Sequence, residues 1–355
     1  MIGNRSAPSL NAIGQEILKP IFRPPLVEAL GNKGLSIEGV KIRTMRRRPA
    51  SRQVFSCELI ASDQETGKQS SIGLICKRDT MHAAGKGARE FEAMRLLWNA
   101  GFGLESRFRI PQPVQHFPDL DLIVQEKARG SKLRSFLGKG TEVSLGYACV
   151  AGLWLAKLHN LKLSSPETCT YAKEIGSLRT FVAALTTYQP KIAAELEHLA
   201  AVLEHRFATF GPTPARMVHG DFHPDHIFVG RNSITVIDFE RFCLSDPARD
   251  LGSFIAHMRT TACFCGRGLD TVNHEIGAFL GSYFSAVPFI EGITTAQRIA
   301  PYVALSSLEA LYYVACVLKV VDSARISMYL KCLQDLELRA TESFPLHLAG
   351  RLASA

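Results

Sequence analysis

MVHGDFHPDHIFVGRNSITVIDFERFCLSDPARDL, residues 217–251, holds two acidic centres in one short pattern. Asp221 stands in His219-Gly220-Asp221, and Asp238 in Ile237-Asp238-Phe239-Glu240. Between them lie an apolar triplet (Ile227, Phe228, Val229), a polar turn (Gly230-Arg231-Asn232-Ser233) and a second apolar run from Ile234 to Ile237. Two short apolar runs about a glycine-containing turn read as a hairpin. A hairpin brings its two ends together, so the spacing predicts that Asp221 and Asp238 sit close in space.

Phosphoryl transfer needs two such carboxylates. One orients the attacking hydroxyl or accepts its proton, and the other holds Mg²⁺ against the nucleotide phosphates. The order His-Gly-Asp, then Ile-Asp-Phe, then Asp246-Pro247-x-x-Asp250-Leu251-Gly252 resembles the aminoglycoside phosphotransferase and choline kinase group. These are small-molecule kinases related in fold to protein kinases. The resemblance implies an α+β, two-lobed protein-kinase-like fold, with a small antiparallel-sheet N-lobe and a larger, mainly helical C-lobe. It also implies that Asp221 is the catalytic base, Asp238 the metal-binding aspartate, and Asp250 a carboxylate that braces the catalytic loop.

One position departs from the family pattern. The family places an Asn, its second metal ligand, five residues after the base, and this chain has His226 there. Mg²⁺ prefers oxygen ligands in strict octahedral geometry, whereas imidazole suits softer metals. Three readings of His226 stay open: a metal ligand through nitrogen, a partner of a phosphate or of Asp221, or the mark of a weak second metal site.

Composition sets the outer bounds. The chain has 355 residues, 46% hydrophobic and 21% charged, which is enough for two modest cores. Its net charge of +8, from 41 basic and 33 acidic residues, suits an anionic ligand such as ATP without demanding nucleic acid. Basic residues gather at Arg43, Arg46, Arg47, Arg48 and Arg52, with no RNA-binding or zinc-finger signature beside them. The nine cysteines form no regular framework, and Cys76, Cys149 and Cys316 lie in apolar runs. They read as buried reduced thiols, so the expected location is cytoplasmic. The longest apolar run, Leu311 to Leu318, is shorter than the ~20 residues of a membrane span, and the N-terminus lacks an apolar signal core. Neither a membrane nor a nucleic-acid partner is expected.

The remaining segments fall into the family's order. Residues 1–36 read as an N-terminal extension, 37–127 as the nucleotide-binding N-lobe, and 128–355 as the helical C-lobe with the catalytic loop and acceptor site. Val40 to Met45 and Ser71 to Lys77 are predicted strands; between them, Phe55, Cys57 and Leu59 alternate with Ser56, Glu58 and Ile60. Arg46 to Arg52 form a turn around Pro49, where protein kinases keep a glycine-rich loop. The turn resembles the basic, proline-containing hairpins of some small-molecule kinases, and makes Arg48 a candidate for holding phosphate oxygens.

The kinase pattern assigns Lys77 to the α- and β-phosphates. It assigns Glu90 to hold that lysine, with Glu92 as the alternative. Both glutamates sit in a predicted helix, Ala88 to Trp98, with Phe91, Met94, Arg95 and Trp98 in one stripe. Glu126 to Ala128 are candidates to meet an adenine by main chain, and Gly130-Ser131 mark the boundary. Beyond it, Leu145, Cys149, Leu153 and Ala156 form a helical face. Leu155-Ala156-Lys157-Leu158-His159 resembles the family's Leu-Ala-x-Leu-His segment, with His159 read as a core or capping residue. Leu308, Leu311, Tyr312 and Ala315 read as core. Glu240 and Arg241, beside Asp238, are placed toward the acceptor.

The combined expectation is an ATP-dependent phosphotransferase, using Mg²⁺ or Mn²⁺, that phosphorylates a hydroxyl of a small molecule. The competing expectation is a catalytically impaired, nucleotide-binding pseudokinase or scaffold, motivated by His226 and the missing glycine loop.

Overall fold

The computed structural model describes residues 35–47, 52–63, 65–79, 85–163, 167–211, 215–319, 326 and 329–330. The chain divides into two bodies: residues 1–130 with 230–240, and residues 131–229 with 241–355. The second chain segment of the first body carries Asp238, in the stretch that sequence alone left within the C-lobe.

In the first body, β1 (Leu35–Arg47), β2 (Arg52–Asp63), β3 (Gln69–Asp79), β5 (Pro113–Phe117) and β6 (Leu122–Glu126) form one antiparallel sheet, in the order β1-β2-β3-β6-β5. Its alternation is the one the residues dictate. Phe55, Cys57, Leu59 and Ala61 are buried on one face of β2, while Glu58 is exposed. Leu74 and Cys76 continue that face on β3. Lys77 therefore points to the other face, from a strand flanked on both sides, opposite Val54 on β2 and Ile123 on β6. Two short strands, β4 (Phe108–Arg109) and β10 (Ile234–Val236), pair in parallel, and the Gly230 N–H donates to the Ser233 carbonyl at 2.8 Å to close the turn before β10.

Helix α1 (Lys86–Leu97) packs against this sheet. Its buried residues are Gly87, Glu90, Ala93, Met94 and Leu97. The face is turned from the predicted stripe: Phe91 and Trp98 are only half-buried and Arg95 is exposed. The reason is Glu90, a charge that apolar periodicity excludes from a core but that is buried here by ion pairing.

The second body is mainly helical. Its elements are β7 (Ser131–Lys132), α2 (Glu142–His159), α3 (Tyr171–Tyr188), α4 (Ala193–Thr209), β8 (Arg216–Val218), β9 (Ile227–Val229), β11 (Cys243–Ser245), α5 (Ala248–Phe264), α6 (Asn273–Ser285), α7 (Phe289–Ala296) and α8 (Ile299–Tyr312). α2 packs on α6, and α5 on α8. The buried residues of α2 are Ser144, Ala148, Ala151, Gly152, Trp154, Leu155, Ala156, Leu158 and His159; of the predicted face Ala156 is buried, while Leu145, Cys149 and Leu153 are half-buried. Gly152 sets this, because a Cβ there would lie 2.3 Å from the Phe279 carbonyl oxygen. Gly152 marks the closest approach of α2 to α6. The segment Ile299–Val317 has the length and apolarity of a membrane span, with 61% of it buried within the fold. Leu308, Leu311 and Ala315 are at 0% exposure, as a core helix requires.

Candidate active site

The first body concentrates charge around Lys77. Its ammonium, on a side chain only 7% exposed, donates to Glu90 Oε1 at 2.6 Å and to Asp238 Oδ1 at 2.9 Å. Glu90 is 1% exposed and also accepts from Arg52, whose other terminal nitrogen donates to Glu240 at 2.6 Å. Lys86 lies 3.9 Å from Glu240. Three cations (Lys77, Arg52, Lys86) thus face three carboxylates (Glu90, Asp238, Glu240). Burial alone would strip the charge from Lys77, but Asp238 and Glu90 outweigh it and hold the ammonium above its usual pKa. Asp238 adopts φ of +75°, a left-handed backbone that non-glycine residues rarely occupy. Such a residue persists only where its surroundings fix it, and here Lys77 holds its side chain.

Glu92, the alternative to Glu90, is exposed on α1 and pairs with Arg95 at 3.3 Å. Arg48 lies outside the described residues, as does Pro49. Arg52 was legible only as one member of a basic cluster, and it is the member that grips Glu90. At the strand end expected to meet an adenine, the N–H groups of Glu126 and Lys127 are already engaged by the carbonyls of Gln112 and Gly73, both at 2.9 Å.

The second body holds Asp221 on a tightly fixed loop. Asp250, in the first turn of α5 and fully buried, accepts from the N–H of His219 at 2.7 Å and of Gly220 at 2.8 Å. His159 Nε2 lies 3.1 Å from the same carboxylate, and its Nδ1 lies 2.8 Å from the Tyr283 hydroxyl. His159 is therefore a buried strut from α2 to the loop. Gly220 turns the chain at φ of +80°, and a Cβ there would sit 2.3 Å from the Arg241 carbonyl oxygen. Phe222 then drives the loop into the core, stacked on Trp154 (ring centroids 5.6 Å) and packed on Phe254 and Phe279 (5.9 and 6.2 Å). Between a bonded carboxylate on one side and an aromatic anchor on the other, Asp221 has little freedom.

Asp221 itself is about one-third exposed (32%) and ringed by imidazoles. His223 Nε2 lies 3.8 Å from Oδ1, and His226 Nδ1 3.7 Å from Oδ2. His226 Nδ1 also lies 3.0 Å from the Asp221 carbonyl oxygen, so it donates there. His257 stacks on His223, with centroids 4.1 Å apart and planes 10° apart. Burial pushes the Asp221 carboxyl up, but the positive side of its surroundings, led by His226 and Arg241, brings it below the ordinary range. It is ionised at neutral pH and can accept a hydroxyl proton in a hydrogen bond. His223 is driven well below its usual pKa by burial and by its histidine neighbours, and stays neutral. Arg241 pairs with Glu309 at 2.5 Å. His223 and His257 were not singled out in the sequence; the signal available was His223-x-x-His226, directly after Asp221.

An oxygen donor such as the Asp238 carboxylate fits Mg²⁺, while the imidazole of His226 does not fit it by donor chemistry.

Comparison with known proteins supplies the relationship. No curated protein sequence matches the chain. Among solved structures, a choline/ethanolamine kinase family protein from Mesorhizobium loti superposes with a TM-score of 0.58 at 14% identity, covering 93% of this chain and 97% of that one. Choline kinase from Cryptosporidium parvum Iowa II gives 0.59 at 12% identity, covering 94% and 97%. The ADP-bound aminoglycoside phosphotransferase APH(2'')-Ib gives 0.51 at 14% identity, covering 91% and 99%. The shared architecture is the two-lobed, kinase-like α+β fold, with an antiparallel-sheet N-lobe and a mainly helical C-lobe. The model of the phosphotransferase enzyme family matches residues 65–284, which take in Lys77, Glu90, Asp221, Asp238 and Asp250, and the chain belongs to that family.

Proposed function

We propose that this protein transfers the γ-phosphoryl group of ATP to a hydroxyl of a small molecule. The observation that carries the reading is Lys77, buried in the sheet and held between Glu90 and Asp238 at 2.6 and 2.9 Å. A buried ammonium gripped by a helix glutamate, beside a carboxylate on a left-handed turn, is the set that binds nucleotide phosphates in kinase chemistry. Lys77 donates to the Asp238 carboxylate. With nucleotide bound, Lys77 turns its donors to the α- and β-phosphates while Glu90 keeps it oriented, and Asp238 offers its oxygens to the divalent cation. That cation, Mg²⁺ or Mn²⁺, supplies neutralisation of phosphate charge when bound.

In the second body, Asp221 is ionised and presented by a loop that Asp250 and Phe222 hold fixed. Its role is to accept the proton of the acceptor hydroxyl in a hydrogen bond and so orient the oxygen for attack. Most of the rate enhancement then comes from positioning and charge. ATP as donor is supported by the family and by the ADP held in APH(2'')-Ib. A small-molecule acceptor is supported by the family and by its choline kinase and aminoglycoside phosphotransferase neighbours. Arg48 keeps its place as a candidate phosphate ligand.

A nucleotide-binding protein without transferase activity is the second reading, favoured by His226 where an oxygen donor is expected. The two separate in one assay. ADP release from Mg²⁺-ATP is followed against a panel of hydroxylated amines, sugars and aminoglycosides. Acceptor-dependent release that falls by about 10²–10⁴-fold in Asp221→Asn supports transfer with Asp221 in the stated role. Release at the wild-type rate in Asp221→Asn overturns that role.

A further inference from the structure

Asp221, His223 and His226 each bring one ligating atom to within 4.8 Å of the other two. We propose that they form a binding site for a borderline transition-metal cation, with Zn²⁺ as the type, and that such a cation blocks the carboxylate used in phosphoryl transfer. The blocking rests on the role proposed above for Asp221; the binding does not.

The donor set is the first argument. Two imidazole nitrogens and one carboxylate oxygen are the ligands of a three-residue zinc site with an open fourth position. The same set is poor for Mg²⁺, which requires hard oxygen donors.

Geometry is the second. Zinc bonds of roughly 2.0–2.2 Å in a tetrahedron place neighbouring ligand atoms about 3.4 Å apart. His223 Nε2 and Asp221 Oδ1 are already at 3.8 Å, so small side-chain rotations close the difference. The rings of His223 and His226 have centroids 3.8 Å apart, and His257 stacks on His223 at 4.1 Å. His226 has the backing that metal-bound histidines have: its Nδ1–H donates to the Asp221 carbonyl at 3.0 Å. His223 makes one adjustment. Its Nδ1 accepts from the Asp225 N–H at 3.2 Å, a long bond that is given up when the ring proton moves from Nε2 to Nδ1 and Nε2 coordinates.

Neighbouring charge is the third. Lys132 and Arg134 are held by Asp225 at 3.5 and 2.8 Å, and Arg241 by Glu309 at 2.5 Å. These pairings offset part of the positive charge that would otherwise oppose a bound cation.

The test uses the full chain freed of metal by EDTA. ZnCl₂ is titrated calorimetrically, and CoCl₂ by the visible absorption that tetrahedral Co²⁺ shows, with no nucleotide or acceptor present. One zinc per chain is expected, with affinity lowered at least about tenfold in His226→Asn and in His223→Gln. Circular dichroism checks that each variant is folded, and either one alone suffices. Mg²⁺ at about 100 times the zinc concentration does not displace it. Absence of zinc binding up to about 100 μM, equal affinity in a folded histidine variant, or displacement by Mg²⁺ overturns the site. With the site established, Zn²⁺ inhibits transfer in wild type and EDTA reverses it. Full transfer by zinc-loaded protein overturns the blocking while leaving the site.

Discussion

Replacing Asp250 with asparagine tests how the loop that carries Asp221 is held. The Asp250 carboxylate is fully buried and accepts from two backbone N–H groups, those of His219 and Gly220 at 2.7 and 2.8 Å, with His159 Nε2 at 3.1 Å. Hydrogen bonds to a charged group contribute about 1.5–3 kcal/mol each, and a buried donor left without an acceptor costs about 1–3 kcal/mol. Asparagine keeps one carbonyl oxygen and turns an NH₂ toward a donor. At least one backbone amide then loses its acceptor, and the remaining bonds lose their charge. The expected loss is about 3–5 kcal/mol at pH 7, read by urea unfolding with an unchanged m-value.

The sign of the pH dependence follows from the carboxyl's shift. Burial raises the Asp250 pKa, but the bond from His159 and the nearby histidines bring it below the ordinary value. A depressed folded pKa means stability that is present above the unfolded value of about 3.9 and is lost as pH falls through the folded one. The gap between wild type and Asp250→Asn is therefore full at pH 7 and narrows only below about pH 4. A loss under about 1 kcal/mol at pH 7, or a gap that shrinks between pH 7 and 5, would refute the reasoning.

Other outcomes follow from the same packing. Phe222→Ala empties a site lined by Trp154, Phe254 and Phe279, so stability falls by about 3–5 kcal/mol in the same urea assay. Gly252→Ala places a Cβ 2.5 Å from Tyr302 Cβ, where α5 meets α8; chemical unfolding is expected to show a loss of about 1–3 kcal/mol from overpacking. Lys77→Met leaves Glu90 with Arg52 as its remaining partner, so melting temperature changes modestly while affinity for an ATP analogue falls at least about tenfold. Glu92→Gln, on an exposed residue paired only with neighbouring Arg95 among its described contacts, leaves nucleotide affinity within about twofold.

Much of this was legible in the chain. The alternation through Phe55, Cys57 and Leu59 gave a strand with one buried face, and that face is buried. Lys77, Glu90, Asp221, Asp238 and Asp250 were all singled out, because the motifs that hold them resemble those of the small-molecule kinases in type and order. Three features were not legible, each for a physical reason. The buried stripe of α1 is displaced toward Glu90, since periodicity counts apolar residues and cannot foresee a carboxylate buried by Lys77 and Arg52. On α2 the predicted Ala156 is buried but Leu145 and Leu153 are only half-buried, because the closest approach to α6 falls at Gly152. The gathering of His257 onto His223 joins residues 34 positions apart, on α5 and on the loop after Asp221, and only the fold brings them together.

The central claim is that this chain binds a nucleotide through its divalent cation. Calorimetric titration of a non-hydrolysable ATP analogue, with and without Mg²⁺, into wild type and Asp238→Asn tests it most directly. The expected result is Mg²⁺-dependent binding at micromolar to millimolar analogue that is lost or weakened at least about tenfold in Asp238→Asn. Absence of binding to wild type with either Mg²⁺ or Mn²⁺, or equal binding by Asp238→Asn, would contradict it.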